Sequence, residues 1–178
     1  QWIPVLDFDD FHLFSSIAKK GRKFHQKGKM TPEQLWLGRY YQKEMVSCYE
    51  PDVAIRWIDP FLRWGVFATR DFKKMEFIAE YTGKVRKRKP IDEKNAYCFE
   101  YILVQGARSS YTIDALDQGG VARYINHSDQ PNLNSSLATF DHISHVILYA
   151  KESIAKGTQL CYDYGPDYWS KRTAPIPL

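Results

Sequence analysis

Ala122-Arg123-Tyr124-Ile125-Asn126-His127-Ser128-Asp129-Gln130-Pro131-Asn132 is the stretch of this chain that constrains the fold most strongly. Within it, Asn-His-Ser followed by Pro-Asn forms a polar turn that leaves a β-branched run. Taken alone, such a segment is typical of an Asx-type turn whose histidine is satisfied by a local hydrogen bond. The segments on either side of it decide whether that simple interpretation is sufficient.

Three further blocks flank this stretch: Arg63-Trp64-Gly65-Val66-Phe67-Ala68, Glu80-Tyr81-Thr82-Gly83 and Gly157-Thr158-Gln159-Leu160-Cys161-Tyr162-Asp163-Tyr164-Gly165. In chain order, the four blocks resemble those of the SET family, usually written G-W-G-[VL]-x-A, E-Y-x-G, N-H-S-C-x-P-N and G-E-E-L-x-[FY]-D-Y-G. Shorter matches lie at Tyr97-Cys98-Phe99, Ile113-Asp114-Ala115 and Asp167-Tyr168-Trp169. The last of these resembles the closing segment of histone H3 lysine-9 type enzymes. Four blocks in the correct order are a specific signal, and the resemblance covers residues 53–169.

The predicted fold class is mostly β (α+β). The chain has 178 residues, 44% of them hydrophobic, which is enough for one core. After Pro51, short β-branched and aromatic runs alternate with turn residues, which predicts strands at 53–58, 65–69, 76–82, 97–104, 110–113, 134–140 and 145–150. The resemblance implies a SET-domain β-clip of small twisted sheets. Its C-terminal segment would form a pseudoknot that brings the third and fourth blocks together.

The first fifty residues predict helices. Asp9 or Asp10 is a candidate cap for a helix that Gly21 would stop. Thr31-Pro32-Glu33 opens a second helix, because proline suits the first turn. That second helix would pack through Leu37, Tyr41, Glu44, Met45 and Cys48. We predict a helical extension over residues 1–52, a SET domain over 53–169 and a short tail over 170–178. Both ends look like cut points, which leaves room for further domains.

The resemblance implies a protein lysine N-methyltransferase that uses S-adenosyl-L-methionine and releases S-adenosyl-L-homocysteine. The implied catalytic residues are Tyr164 at the transfer point, Tyr162 beside it and Tyr97 at the methyl channel. The implied cofactor-binding residues are Arg63, Trp64, Tyr97, Asn126, His127 and Trp169. In this scheme the backbone at Arg63 and Trp64 holds the methionine end, and His127 bonds the adenine through its backbone. Trp169 or Tyr168 would stack on the adenine.

The proposed chemistry explains why tyrosines suit this site. Methyl transfer is an in-line displacement from a sulfonium, and the attacking lysine amine must be neutral although its ordinary pKa is about 10.4. A channel that is aromatic and poor in water, next to a positive sulfur, lowers that pKa by desolvation and like-charge repulsion. In the family, a tyrosine two residues before the closing tyrosine restricts how many methyl groups are added. Tyr162 at that position therefore predicts mono- or dimethylation.

The sequence departs from the family pattern at two positions. Arg63 stands in place of a glycine, which implies a backbone that avoids positive φ and an arginine near the cofactor carboxylate. Asp129 stands in place of a cysteine that binds zinc in many relatives, and the three later cysteines are also missing. We therefore expect no metal site and no zinc. The substrate channel would be closed instead by Tyr168, Trp169 and residues 170–178, or by a further domain.

Composition excludes several other classes. A net charge of +4 is too mild for a dedicated nucleic-acid binder, no segment is long and apolar enough for a membrane span, and Cys48, Cys98 and Cys161 form no C-x-x-C pair. The implied partner is a lysine-containing protein, with histone tails or nucleosomes as the substrate class. The implied location is nuclear or cytosolic, and one option is a pathogen effector that acts in a host nucleus.

Two alternatives to an active enzyme stay open. One is a catalytically inactive SET-like module that only binds a peptide or partner. The other is a nucleic-acid contact through the basic residues of 19–29 and 84–89, although a charge run like that in loop 84–95 is usually solvated. A groove for basic histone tails would need acidic residues, and the candidates are Glu100, Asp114, Asp117, Asp129, Asp141 and Asp167. Most of these are equally typical of turn and strand caps.

Overall fold

The structure, a computed structural model, describes residues 1–107 and 109–169. Its strands are β1 Asp7–Phe8, β2 Val53–Trp57, β3 Trp64–Ala68, β4 Phe77–Glu80, β5 Gly83–Lys87, β6 Cys98–Glu100, β7 Tyr111–Gly119, β8 Asn126–His127, β9 Leu133–Phe140, β10 Ile143–Ala150 and β11 Gln159–Tyr162. Its helices are α1 Phe11–Gln26, α2 Pro32–Tyr40, α3 Gln42–Val46 and α4 Pro166–Trp169, with 3₁₀ turns at Pro90–Lys94 and Val121–Tyr124. The predicted mostly β, α+β fold class is confirmed.

The strands form three small sheets in the described part of the chain. Their orders are β1-β5-β7-β6, β4-β10-β9 and β2-β3-β11-β8. Most buried hydrophobic residues are aliphatic, and the largest fully buried side chains include the aromatic residues Tyr41, Tyr101 and Phe72, all at most 2% exposed. None of the helices in the described ranges is long and apolar enough to span a bilayer.

The chain divides into two compact units. The first contains Gln1–Tyr49, Glu80–Arg123 and Ser136–Ile147, and it holds all three N-terminal helices and the sheet β1-β5-β7-β6. The second contains Glu50–Ala79, Tyr124–Ser135 and the chain from Leu148 onward, and it holds the sheet β2-β3-β11-β8. The predicted division at residue 52 into a helical extension and a SET domain stays a prediction.

Helix α1 begins as predicted but does not end at Gly21. The carboxylate of Asp10 accepts a hydrogen bond from the Leu13 N–H at 2.7 Å, which satisfies one of the free donors of the first turn. The helix then continues through Gly21 to Gln26, because Gly21 is a contact position and not a stop. A Cβ there would lie 2.0 Å from the carbonyl oxygen of His142. The glycine therefore lets the helix backbone touch the β9–β10 hairpin directly.

Helix α2 is tied to the first unit by a buried polar side chain. Thr31 caps it as predicted, by accepting from the Gln34 N–H at 3.1 Å. The side-chain amide of Gln34, 1% exposed, donates to the carbonyl of Leu103 at 2.9 Å and to the Thr139 hydroxyl at 2.6 Å. Gly38 allows this close approach, since a Cβ at that position would lie 1.8 Å from the Thr139 carbonyl oxygen. The single helix predicted after Thr31 is instead two, with a break at Tyr41.

The interpretation of residues 84–95 as a solvated loop is wrong for their first part. Residues 83–87 form β5, which pairs with β7, and Val85 is fully buried. Arg86 donates to Asp92 at 2.7 and 2.8 Å and to Asp114 at 2.6 Å, and its side chain is only 12% exposed. The guanidinium bonds hold the pKa of Asp92 below its ordinary value. Asp114 therefore belongs to this ion-pair cluster and is excluded as a free groove carboxylate.

Candidate active site

The third and fourth sequence blocks lie side by side in the second unit. Strand β11 pairs with β8 in parallel, with Cys161 opposite Asn126 and Tyr162 opposite His127. Asn132 holds the same junction, because its side chain accepts from the Cys161 N–H at 2.9 Å and donates to the Gln159 carbonyl at 2.8 Å. The pairing brings together residues about 35 positions apart in the chain. This is the juxtaposition of blocks that the predicted pseudoknot requires.

The first block is joined to this junction by a side-chain amide. Asn126 Nδ2 donates to the backbone carbonyl of Trp64 at 3.0 Å. Strand β3, which Trp64 opens, also pairs with β11, so β3 and β8 flank β11. The approach is close at Gly65, where a Cβ would lie 2.5 Å from Ile58 Cδ1 and 3.3 Å from Asn126 Nδ2. A side chain at Gly65 would therefore have to displace the end of the Ile58 side chain.

The ring of His127 is held at both nitrogens. Its Nδ1 accepts from the Tyr164 backbone N–H at 3.2 Å, so the proton of a neutral ring lies on Nε2. Nε2 lies 3.1 Å from Asp129 Oδ1 and donates to that carboxylate. Asp129, which replaces a zinc-ligand cysteine of the family pattern, therefore orients the histidine. Sequence reasoning did not find this role, because only the fold brings the ring against both partners.

His127 and four other aromatic side chains pack together in the described part of the second unit. Tyr164 contacts Tyr162 with ring centroids 4.8 Å apart and Tyr168 at 4.7 Å. Trp169 lies 4.8 Å from His127 and stacks nearly parallel to Tyr164 at 6.0 Å. The Tyr164 hydroxyl donates to the Ile125 carbonyl at 2.7 Å. We call His127, Tyr162, Tyr164, Tyr168 and Trp169 the aromatic cluster.

The aromatic cluster has the chemical character expected of a methyl-transfer site. It combines aromatic ring surface with tyrosine hydroxyls, the carboxylates of Asp129 and Asp163 lie at its exposed edge, and Tyr162 is only 5% exposed. Such a surface attracts a cation through ring faces without forming a salt bridge to it. Burial also raises the pKa of the neighbouring Cys161 thiol to about 11, so this cysteine stays protonated at neutral pH and is no thiolate nucleophile.

Arg63 does not have the backbone conformation that we predicted. Its φ is +63°, the left-handed region that the family glycine would favour, and the expected avoidance of positive φ is wrong. The loop between β2 and β3 imposes it: the Arg63 N–H donates to the Asp59 carbonyl at 2.8 Å, and the Arg63 carbonyl accepts from Ile58 at 2.7 Å. The Asp59 carboxylate also accepts from the Leu62 N–H at 2.6 Å. These loop bonds offset a cost of about 1–2 kcal/mol for a non-glycine residue.

Tyr97, the remaining predicted site residue, belongs to the first unit. Its carbonyl accepts from the Tyr81 hydroxyl at 3.0 Å, and its N–H donates to the Asn95 side chain at 2.9 Å. Asn95 in turn donates to Asp114 at 3.0 Å, which links Tyr97 to the Arg86 cluster. These hydrogen bonds within the first unit hold the backbone at Tyr97 in place. Its catalytic role stays a prediction.

Two buried donors in the second unit suit a cofactor with several acceptor atoms. Gln159 Nε2 and Trp169 Nε1 have no hydrogen-bond acceptor within the described residues. Gln159 Nε2 would lie 3.1 Å from a Cβ at Gly65, so it faces the point where β3 approaches β8. S-adenosylmethionine carries a carboxylate, ribose oxygens and adenine nitrogens, all of which accept. The residues present therefore fit this group.

Metal binding has no support among the described residues, where no group of three His, Cys, Asp or Glu side chains is placed to hold an ion. Cys48 is exposed, so it does not belong to the packing stripe that we predicted for the second helix, whereas Cys98 and Cys161 are partly buried. Of the proposed groove carboxylates, Glu100 accepts from the Ser109 N–H. The side chain of Asp167, another proposed groove carboxylate, lies outside what the structure describes. So do residues 170–178, which we predicted to help close the substrate channel.

Comparison with known proteins supports the resemblance to the SET family that the four sequence blocks indicated. Residues 63–165 match the family model of the SET domain. The chain is 38% identical over 110 residues to histone-lysine N-methyltransferase Set8 of Drosophila pseudoobscura pseudoobscura, an alignment that covers 57% of this chain and 16% of that protein. It is 37% identical over 110 residues to N-lysine methyltransferase KMT5A of Xenopus tropicalis, covering 57% of this chain and 32% of that protein.

A third relative, human histone-lysine N-methyltransferase 2D, is 33% identical over 111 residues, which are 58% of this chain and 2% of that protein. The chain thus spans less than a third of the length of the relatives it matches. The match to the SET-domain model, residues 63–165, includes the paired third and fourth blocks. Since the family model matches more than half of the 178 residues, the chain belongs to the SET-domain protein lysine methyltransferase family.

Proposed function

We propose that this chain transfers a methyl group from S-adenosylmethionine to the ε-amine of a lysine in a protein. The observation that carries the proposal is the aromatic cluster at the β8–β11 junction, with Tyr164 fixed by the Ile125 carbonyl at 2.7 Å. Its weakly charged, ring-lined surface suits a sulfonium beside a neutral amine. The Set8 and KMT5A relatives are named as lysine methyltransferases, which agrees with this chemistry.

The bound cofactor would supply an electrophilic methyl group on a positively charged sulfur. That methyl group would pass to the lysine nitrogen, the sulfur would keep the electron pair of its former bond, and the lysine would release its ammonium proton to solvent before entering the aromatic cluster. The aromatic cluster excludes water, which keeps the amine neutral, while Tyr164 and Tyr162 aim its lone pair. Holding two reactants in line in this way contributes on the order of 7–11 kcal/mol to the acceleration.

Histone tails are the substrate class that we propose. Set8 from Drosophila is named as a histone-lysine enzyme. In this chain the carboxylates of Asp129 and Asp163 lie on either side of His127, and they are 80% and 63% exposed. Two exposed carboxylates beside the aromatic cluster favour a basic peptide over an acidic one. A histone substrate implies a nuclear or chromatin location.

Site roles and domain boundaries are part of this proposal. We assign transfer to Tyr164, Tyr162 and Tyr97, and cofactor contacts to Arg63, Trp64, Tyr97, Asn126, His127 and Trp169. We assign residues 53–169 to the SET domain, 1–52 to a helical extension and 170–178 to a tail. Asp129 orients His127 where relatives carry a zinc ligand, so we propose that the site works without zinc.

Asn126→Ala is the first test of the cofactor assignment. Loss of the amide leaves the Trp64 carbonyl without its donor, which costs about 1–3 kcal/mol. We expect the dissociation constant for S-adenosylmethionine, measured by calorimetry, to rise roughly 5- to 150-fold. The unmutated protein at 100 times its dissociation constant should gain about 2.7 kcal/mol, which corresponds to about 5–10 °C in melting temperature for this chain length.

Asn134→Ala is the matched control, because it removes the same amide from strand β9, outside the β3–β8 contact. It should leave cofactor affinity unchanged. If the unmutated protein shows neither calorimetric binding nor a thermal shift at millimolar cofactor, the enzyme proposal fails. An inactive peptide-binding SET module would then be the better account. Equal affinity in Asn126→Ala and the unmutated protein would remove Asn126 from the cofactor site.

Tyr162→Phe tests how many methyl groups are added. Tyr162 is nearly buried against Tyr164, where its hydroxyl can hold the amine or a water molecule. That bond is worth only about 0.5–1.5 kcal/mol net, so its loss should shift the product from mono- toward di- and trimethyl-lysine without stopping the reaction. Mass spectrometry of a histone-tail peptide after long reaction measures this. Abundant trimethyl-lysine from the unmutated protein would contradict the assignment while leaving methyl transfer intact.

A further inference from the structure

The N-terminal segment carries a concentrated positive charge that methyl transfer does not use. Residues 11–32 contain Lys19, Lys20, Arg22, Lys23, Lys27 and Lys29 but no aspartate or glutamate. The whole chain has a net charge of only +4, so this one segment carries more positive charge than the molecule does in total. Such local asymmetry indicates an anionic partner more strongly than the overall charge does.

The first unit brings this segment against the basic end of β5. Lys20 Nζ donates to the Tyr111 hydroxyl at 2.9 Å and lies 5.0 Å from the centre of its ring. Tyr111 is the β7 residue directly opposite Lys87 on β5. Lys20 and Lys87, 67 positions apart, are therefore both neighbours of Tyr111. Lys23 follows Lys20 at three positions, which places it on the same side of α1, and Lys27 is the residue that caps the C-terminal end of the helix.

We call Lys19, Lys20, Lys23, Lys27 and Lys87 the basic face, and all five are exposed. Several neighbouring cations are already neutralised: Lys84 by Asp9 at 3.0 Å, Arg86 by its two aspartates and Arg88 by Glu100 at 3.7 Å. By contrast, no carboxylate of the described chain lies within 4 Å of a basic-face ammonium. The basic-face lysines thus have no carboxylate partner, unlike the neighbouring cations, and their charges are available to a ligand.

The composition of the basic face favours nucleic acid over the other anionic partners. Protein interfaces are depleted in lysine and enriched in aromatic residues and arginine, whereas phosphate backbones are contacted by lysines along a stripe. A membrane-surface helix needs a free apolar side along its length. In α1 the exposed apolar residues, Phe11 and Phe14, lie at the start of the helix, whereas the apolar side beside the lysines is occupied. Ile17 is fully buried, and Gly21 packs against the His142 carbonyl.

We infer that the basic face binds the sugar–phosphate backbone of duplex DNA, without reading base sequence. This inference goes beyond the methyl-transfer proposal and does not depend on it. For a chromatin enzyme, such a contact would raise the local concentration of substrate and the rate of encounter. Because it uses phosphate charge alone, its affinity should fall steeply with salt, with a slope set by the number of phosphates neutralised.

The test compares two triple variants of equal charge. Lys23→Gln/Lys27→Gln/Lys87→Gln removes three basic-face charges from both chain segments. Lys43→Gln/Lys74→Gln/Lys151→Gln removes three exposed charges elsewhere, so both variants have a formal net charge of +1 by subtraction from +4. Binding is measured by fluorescence anisotropy with a 20-base-pair labelled DNA duplex of mixed sequence, from 50 to 300 mM salt.

We expect the basic-face variant to bind the duplex at least about 20-fold more weakly at 100 mM salt, and its log–log salt slope to be less steep by up to about 2.7. The control variant should differ from the unmutated protein by less than about threefold. Equal weakening in both variants, or in neither, would overturn the inference. Stronger binding to vesicles of phosphatidylcholine and phosphatidylserine than to the duplex would overturn it in favour of a membrane surface.

Failure of this inference is distinguishable from failure of the proposed function. Methylation of a free histone-tail peptide does not require DNA, so the basic-face variant should retain the unmutated kcat/KM on that peptide. Loss of duplex binding with normal peptide methylation supports the basic face. Normal duplex binding with no methylation by any version of the protein would instead contradict the methyl-transfer proposal alone.

Discussion

Tyr164→Phe should lower methyl transfer by about 10²-fold or more while the affinity for S-adenosylmethionine changes little. The Tyr164 hydroxyl donates to the Ile125 carbonyl at 2.7 Å, which fixes the ring against Tyr162 and Tyr168. Without that bond the ring is free to shift, and a displacement of about 1 Å at a transfer point costs on the order of 10²-fold in rate. The turnover number on a histone-tail peptide and calorimetric cofactor binding are the two measurements.

Tyr40→Phe is the matched control, since Tyr40 is 55% exposed on α2 and lies in the other unit. It should turn over at the unmutated rate. A melting curve separates a site effect from a packing effect, because loss of one part-buried hydrogen bond costs about 0.5–1.5 kcal/mol and leaves the protein folded at 25 °C. Turnover of Tyr164→Phe at the unmutated rate would exclude Tyr164 from the transfer point.

Arg86→Met is expected to produce the largest loss of stability, about 3–5 kcal/mol in the free energy of unfolding. The guanidinium lies between Asp92, 4% exposed, and Asp114, 21% exposed. Its removal leaves two carboxylates close together without a counter-charge in a site poor in water. For a chain of this length the melting temperature should fall on the order of 10 °C. Chemical denaturation followed by circular dichroism measures the change.

The same cluster predicts a dependence on acid. The hydrogen bonds from Arg86 lower the pKa of Asp92 from its ordinary value of 3.8. A carboxyl whose pKa is lower in the folded state adds stability that is fully present above 3.8, and this stability is lost as pH falls through the folded value. Stability of the unmutated protein should therefore decline below about pH 4. Arg86→Met should lose much of that acid-sensitive contribution.

Lys87→Met is the control for Arg86→Met, because it removes a neighbouring charge that is exposed and has no ion-pair partner in the described chain. Exposed substitutions of this kind change stability by less than about 0.5 kcal/mol. If the two variants unfold at the same denaturant concentration, the ion-pair cluster contributes nothing to stability. The Arg86 variant should then also keep the acid sensitivity of the unmutated protein.

The sequence determined the family and most of the longer strands. Matches at residues 63–68, 80–83, 126–132 and 157–165 are short, but their order along the chain is specific, and the family model covers the same region. Short β-branched and aromatic runs between turn residues predicted β9 and β10 to within two residues of their bounds. A cap at Asp9 or Asp10 and a helix opening at Thr31-Pro32-Glu33 were also predicted, because capping depends on residues three positions apart, and the caps are Asp10 and Thr31.

Tertiary structure alone decided the elements whose stability comes from distant partners. Strand β8 has two residues, too few for a periodic pattern, and it exists because β11 pairs with it. Residues 83–87 resemble a solvated basic loop, yet Asp92 and Asp114 turn Arg86 into a buried residue of a strand. Gly21 resembles a helix stop until the His142 carbonyl is seen to occupy the place of its side chain.

The site shows the same division. Residue types in the blocks predicted Asn126, His127, Tyr162 and Tyr164 as members of one site. The ring orientation of His127 depends on Asp129 and on the Tyr164 N–H, and the left-handed conformation of Arg63 depends on hydrogen bonds in its loop. Residue type and order along the chain are written in the sequence itself. Hydrogen-bond partners, burial and backbone strain are not, because they depend on distances between segments that only the folded chain brings together.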